Sequence, residues 1–259
     1  MAKSLFIRCY GRLTPDMMVG GLLDMGVPVP YVEEALSQAG RTEKAITASP
    51  SKAQIKAGYF HLPPLPRTEL LLKERPMLAF WNALCDKGCQ EYRNGGWKVI
   101  SAFSAGEAEV LDLPADIVDF YRGGAGEENL LSLYAFLACL DYLSVETVFT
   151  CPFEVGEAKT EKEKITAAIL RRSGSTEGLP VPPAGIEPFA AAMLEGLSSD
   201  FTPMDGRFLL ETTSYGTDSS TSPDGDNTAA FYLGYFTEQR ESIFRKQLKT
   251  FGVGIDSDR

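Results

Sequence analysis

Leu5-Phe6-Ile7-Arg8-Cys9-Tyr10-Gly11-Arg12-Leu13-Thr14-Pro15-Asp16-Met17 is the stretch that decides the fold. Its first half reads as a short apolar strand, Gly11-Arg12 as a tight polar turn, and Thr14-Pro15-Asp16 as a helix start. Thr14 is a good N-cap, because its hydroxyl accepts an N–H of the first turn. Pro15 suits the first helical position, and Asp16 suits the positive end of the helix dipole. The helix is expected to run to about Met25 and to stop at Gly26, a natural residue for the left-handed closing position. A strand running into a helix N-terminus presents free N–H groups where an anion or a nucleotide phosphate can sit.

Outward from this unit the chain alternates loosely between strand and helix patterns. A second helix is expected over Tyr31 to Gln38, ending at Gly40. Ala45–Ala48 and Gln54–Phe60 read as two strands of a hairpin, and Leu62-Pro63-Pro64-Leu65-Pro66 as a stiff extended linker. Arg75 to Arg93 reads as a helix stopped by Asn94-Gly95-Gly96, and Trp97 to Phe103 as a strand followed by an acidic loop. Gly123-Gly124-Ala125-Gly126 opens a long helix from Glu127 to Leu143, and Val145 to Thr150 is a strand. Thr160-Glu161-Lys162-Glu163 is a capping box for a helix to Arg172. After the extended Leu179–Pro183 come a helix from about Ile186 to Leu197 and strands over Arg207–Thr213 and Ala229–Phe236. Between these two strands, residues 218 to 226 form a polar loop. The expected fold is α/β or α+β, a mixed sheet with helices packed on it. The expected organisation is a single domain over 1–259, with two lobes meeting near 95–125 as the alternative.

The 259 residues carry a formal charge of −10, with ordinary apolar and charged content for a soluble globular protein. Such a charge repels phosphates, so nucleic acid and anionic membrane surfaces are not the expected partners. No apolar run is long enough to span a bilayer, and the N-terminus does not read as a signal peptide. Five scattered cysteines and one histidine fit reduced thiols in a cytoplasmic protein, and they leave no set of imidazoles for a histidine-rich metal site.

Each chemically capable residue has two readings. Asp16 can position a cation or a ribose hydroxyl, or serve only as a first-turn acid. Cys9 can be a thiolate ligand or a plain buried cysteine. Arg8 and Arg12 flank one turn, where they can meet a phosphate or be solvated or salt-bridged. Gly123–Gly126 resembles an anion cradle without a P-loop lysine, and Glu127 and Glu128 oppose phosphate there. Cys85 and Cys89 lie four apart on one helical face, and His61 reads as a surface or capping residue. Glu154 and Glu157 read as paired carboxylates or as solvated loop acids.

Ile7, Cys9, Asp16, Met17 and the run Leu22-Leu23-Asp24-x-Gly26-Val27-Pro28 resemble the start of the LarC-like nickel-insertion proteins. The likeness continues in Leu143–Pro152, in Leu179-Pro180-Val181-Pro182, in Thr202-Pro203 with Gly206, and in Tyr215-Gly216 followed by Asn227. The resemblance implies insertion of nickel into the pincer nucleotide cofactor of lactate racemase-type enzymes, a lyase-type chelation in which CTP takes part. It implies Asp16 and Glu128 as catalytic residues, and Arg8, Arg12, Thr14 and Thr202 as cofactor-binding residues. Cys9 and Asp16 are the weak metal candidates. The implied cofactors are nickel and a pyridinium nucleotide. The implied partner is that small molecule or a related protein of the same pathway. This sequence departs from the family pattern at the metal positions. Arg8 replaces an Asp, Phe120-Tyr121-Arg122-Gly123 replaces His-Phe-His-Glu, Glu128 and Ser132 replace Asp, and Glu177 replaces a His. Losing imidazoles removes donors that nickel prefers, which argues for reduced or absent activity. On this resemblance, the CTP-binding C-terminal region of longer members is expected to be absent. A catalytically silent paralogue acting as an assembly or regulatory partner is the alternative reading.

Overall fold

The computed structural model describes residues 2–41, 46–48, 57–62, 73–173, 179–181, 185–205, 207–218 and 228–236. The first strand, β1 (Lys3–Cys9), leads into helix α1 (Pro15–Asp24), followed by α2 (Val29–Gln38). A short strand pair, β2 (Ile46–Ala48) and β3 (Gly58–His61), precedes α3 (Glu74–Lys87), α4 (Arg93–Leu111), the single turn α5 (Phe120–Gly123) and α6 (Glu127–Tyr142). Then come β4 (Thr147–Thr150), β5 (Phe153–Val155), α7 (Glu161–Arg172), β6 (Leu179–Val181), α8 (Pro188–Leu197), β7 (Ser198–Phe201), β8 (Phe208–Thr217) and β9 (Thr228–Phe236).

Seven strands form one sheet in the order β2-β3-β8-β9-β1-β4-β7, while β5 and β6 pair separately. The sheet is mixed, as the alternation of elements implied. β1 runs parallel to β4 and antiparallel to β9, with Phe6 opposite Phe149 on one side and Tyr232 on the other. The period of two sorts the side chains of β1 by face. Leu5, Ile7 and Cys9 enter the main core with residues of α1, α4, α6 and α8. Phe6 enters a small aromatic cluster with Phe149 and Phe208 on the opposite face.

Glycines let α1 lie directly on the strands. A Cβ on Gly216 would stand 1.9 Å from the Met17 carbonyl oxygen, and one on Gly58 would stand 1.9 Å from that of Gly20. Polar bonds fix the same contact. The Ser214 hydroxyl donates to the Gly21 carbonyl (2.7 Å), and the Tyr215 N–H donates to the Asp24 carboxylate (3.1 Å).

The capping signals predicted the helix starts well. Thr14 accepts the Met17 N–H at 3.1 Å, and Thr160 and Glu163 form the reciprocal capping box of α7. β2 and β3 pair antiparallel with Ile46 opposite His61, the hairpin expected from the two strand patterns. Trp97 to Phe103 is helix rather than strand, and the expected acidic loop continues that helix to Leu111. Gly95-Gly96 does not stop a helix; it sits inside the first turn of α4. A Cβ on Gly96 would fall 1.9 Å from the Trp81 ring, so glycine is required there by packing. The break comes earlier, at Gly88, where the Tyr134 hydroxyl occupies the space of a side chain. Glu177, most of the 62–66 linker and most of the 218–226 loop lie outside the described residues.

Glu107 of α4 is wholly buried, and among the described residues neither carboxyl oxygen has a hydrogen-bond partner. It lies against α5, where a Cβ on Gly123 would stand 3.2 Å from its carboxyl carbon. The Asp119 N–H approaches without closing a hydrogen bond. Burial, then the nearby Asp119 carboxylate, push this carboxyl up to about 7, against the pull of Arg122.

Candidate functional site

The turn after β1 is fixed by a two-way zipper to the segment before α8. Leu13 donates to the Gly185 carbonyl (2.8 Å), and Glu187 donates back to the Leu13 carbonyl (2.9 Å). This brings Arg12 and Glu187 to the N-terminus of α1, where the end of β3 and the first turns of α6 also converge. The result is a cavity of about 470 Å³ lined by Arg12, Thr14, Asp16, Tyr59, His61, Gly124, Glu128, Ser132, Lys162, Glu187 and Asp218. Its volume is in the range of sites for small molecules and cofactors.

Asp16 stands at the centre of a hydrogen-bonded group. Its Oδ1 accepts the Ser132 hydroxyl at 2.6 Å, and its Oδ2 lies 3.0 Å from His61 Nδ1. The Ser132 hydroxyl also lies 3.1 Å from the Glu128 carbonyl one turn back on α6. Burial pushes the Asp16 carboxyl up, while the bonds from Ser132 and His61 favour the ionised form and pull it back. Glu187 is pushed up to about 7, first by burial and then by the Asp16 carboxylate, with Arg12 and Lys162 opposing. On the rim, Arg12 Nε pairs with Asp218 Oδ2 at 2.5 Å. The cavity therefore offers two cationic side chains, Arg12 and Lys162, beside four acids, one of which holds its proton near neutrality. Among the described residues, no three His, Cys, Asp or Glu side chains are grouped so as to hold a metal ion.

Of the residues singled out from sequence, the fold gathers Asp16, Glu128, Arg12 and Thr14. The oxygen of Thr14 is occupied by the N-terminal N–H of Met17. Arg8 lies on the other face of the sheet, where its guanidinium stacks 5.0 Å from the Tyr10 ring centroid. Thr202 lies beyond β7, donating its N–H to the Thr150 carbonyl (3.0 Å), and is not among the cavity's lining residues. Cys9 is buried in the main core, and burial pushes its thiol up to about 12. Its thiolate is therefore not available at neutral pH.

Sequence reasoning missed His61, Lys162 and Glu187 as members of one site. His61 carried no local signal. It reaches Asp16 only because β3 pairs with β8 and α1 packs on both. Ser132 was visible only as a replaced position, not as a donor to Asp16.

The sequence profile described as nickel insertion protein matches residues 5–257 of this chain. The chain belongs to the nickel insertion protein family. A nickel insertion relative from Syntrophobacter fumaroxidans is 22% identical over 265 residues, covering 98% of this chain and 65% of its own length. One from Geotalea daltonii is 22% identical over 271 residues, covering 98% and 66%. One from Synechococcus sp. strain JA-3-3Ab is 25% identical over 166 residues, covering 62% and 40%. The chain thus spans just under two thirds of the length of the first two relatives. No solved structure gives a significant match. Among the described residues, no helix is long and apolar enough to cross a membrane.

Proposed function

We propose that the cavity at the head of α1 binds the pyridinium nucleotide that nickel-insertion proteins load, and that nickel joins it there as the second substrate. The observation that carries this reading is the placing of Arg12 and Lys162 on the same cavity as the Asp16–His61–Ser132 group. The two cations suit a nucleotide phosphate, for which charge-assisted bonds are the strong ones. The polar group suits the reacting end. In this reading the nucleotide's own pincer atoms supply most of the metal donors, in keeping with the sparse protein ligand set around Asp16.

Calorimetry tests this directly. Nickel titrated into the protein alone is expected to bind weakly, and nickel with the pincer nucleotide to bind one-to-one. Arg12→Ala and Lys162→Ala are each expected to weaken nucleotide binding at least tenfold. Equal nucleotide affinity in both variants refutes the site.

A second reading is favoured by the absence of a three-ligand group among the described residues. The chain then serves a related protein of the same pathway as an assembly partner. Affinity capture that recovers no other nickel-insertion protein counts against it.

A further inference from the structure

We propose that the single turn α5 is a proton-dependent clasp on the cavity wall, seated while Glu107 carries its proton and driven from its seat when Glu107 ionises. The proposal rests on the cavity reading above only in its last step, from α5 to Lys162.

The seat is a ridge on α4. Phe103 and Glu107 are neighbours on one face of that helix, one turn apart. Phe120 of α5 stacks on Phe103, with ring centroids 4.8 Å apart. Gly123 closes the other end of the turn over the same ridge. A Cβ there would stand 2.6 Å from the Phe103 ring and 3.2 Å from the Glu107 carboxyl carbon, so bare backbone covers the acid. Glu107 is wholly buried, and among the described residues its oxygens have no hydrogen-bond partner. The charged groups that face it are Asp119 and Arg122 of α5 and Glu161 at the start of α7. The cation among them is already committed. Arg122 donates Nε–H and Nη2–H to the two Glu161 oxygens, each at 2.8 Å.

Such a seat suits a neutral carboxyl and opposes a carboxylate. A charge taken out of water without a partner carries a large desolvation penalty. Burial accordingly pushes the Glu107 carboxyl up. Once ionised, the group lowers its energy by reaching water, and the cover most easily moved is α5, a helix of four residues. The folded-state value is the raised one, so the seat is intact at low pH and is lost as pH rises through neutrality.

Two contacts carry this movement to the cavity. The Arg122–Glu161 pair ties α5 to the first turn of α7, where Lys162 is the next residue. Gly124 follows α5 directly, with φ +87°, and Lys162 Nζ stands 2.9 Å from the place its Cβ would take. Gly124 and Lys162 both line the cavity. An anion held by Lys162 therefore favours the seated turn, and the seated turn favours the proton on Glu107. Linkage makes this coupling reciprocal.

Amide hydrogen exchange tests the clasp in the intact protein. The Gly124 N–H donates to the Tyr121 carbonyl (3.2 Å) and the Ala125 N–H to the Phe120 carbonyl (2.7 Å), so both amides report the turn. Between pH 6 and pH 8 an exposed carboxyl gains about a hundredfold in ionisation and the seated one about tenfold. Protection of Ala125, corrected for intrinsic exchange, is thus expected to fall about tenfold in wild type and to stay level in Glu107→Gln. Leu133, deep in α6, is expected to keep its protection. Level protection of Ala125 in wild type, or an equal fall in Glu107→Gln, overturns the clasp. An equal fall at Leu133 also overturns it, because the opening is then global. The wild-type comparison of Ala125 with Leu133 decides the matter even if the variant fails to fold.

The step to the cavity has its own probe. Sulfate keeps its charge over this range. At pH 8, sulfate at about ten times its Kd is expected to raise Ala125 protection about tenfold, since it binds the seated state. Sulfate that binds without changing Ala125 overturns the coupling. Sulfate that does not bind at all overturns the cavity reading and the coupling with it, while the pH dependence of Ala125 still decides the clasp.

Discussion

Replacing Glu107 by glutamine tests whether an ionisable group is confined beneath the wall of the cavity. Glu107 is fully buried, its oxygens lack hydrogen-bond partners among the described residues, and burial pushes its carboxyl up to about 7 from the usual 4.5. The folded protein holds this proton more tightly than the unfolded chain does. Stability is therefore lost as pH rises from about 4.5 to about 7, and the loss is complete above that. At about 1.4 kcal/mol per tenfold change, the penalty is about 1 kcal/mol at pH 5 and about 3 kcal/mol at pH 8. Glutamine has the shape of the protonated acid and never ionises. Comparing each variant with wild type at both pH values cancels the cost of the amide itself. Glu107→Gln is expected to gain about 2.5 kcal/mol relative to wild type at pH 8 beyond its effect at pH 5. Urea unfolding midpoints at the two pH values measure this, with unchanged m-values as the control. Parallel pH dependence in the two proteins refutes the reasoning and means that Glu107 ionises freely.

Thr14→Ala removes the cap of α1 and is expected to cost about 1 kcal/mol in urea unfolding. A cost near zero means that the cap bond contributes nothing. Gly216→Ala drives a methyl into the Met17 carbonyl and is expected to cost at least about 1–3 kcal/mol, read from the thermal midpoint. An unshifted midpoint shows that α1 can lift from the sheet. Alkylation of the native protein at pH 8 is expected to reach the half-buried Cys89 and Cys151 first, and the buried Cys9, Cys85 and Cys139 only on unfolding. Mass spectrometry of peptides reads the order, and early labelling of Cys9 or Cys139 refutes it.

Local signals carried well from sequence to structure. Thr14-Pro15-Asp16 and Thr160–Glu163 start their helices through bonds made within one turn, so no knowledge of the rest of the chain is needed. Gly95-Gly96 misled, because a glycine chosen to admit the Trp81 ring looks the same as one chosen to end a helix. The candidate site was half legible for the same reason. Asp16 and Arg12 lie on the contiguous opening stretch. His61, Lys162 and Glu187 arrive from three distant segments, and only the strand order and the Leu13–Gly185 zipper bring them together. Arg8, four residues from Arg12, points away because it lies on a strand of period two, while Arg12 lies beyond the strand's end.

The glycine contacts beneath α1 have a mechanical consequence. Domains and helices usually slide past one another by small rotamer adjustments at their packed side chains. Backbone meets backbone at Gly20–Gly58 and at Met17–Gly216, so at these two points there is no side chain between helix and sheet to absorb a shift. The helix and the sheet act as one rigid plate, with the Asp16 carboxylate on its rim. Adjustment of the cavity to a guest therefore falls to the opposite wall, the first turns of α6 and α7 that carry Glu128, Ser132 and Lys162.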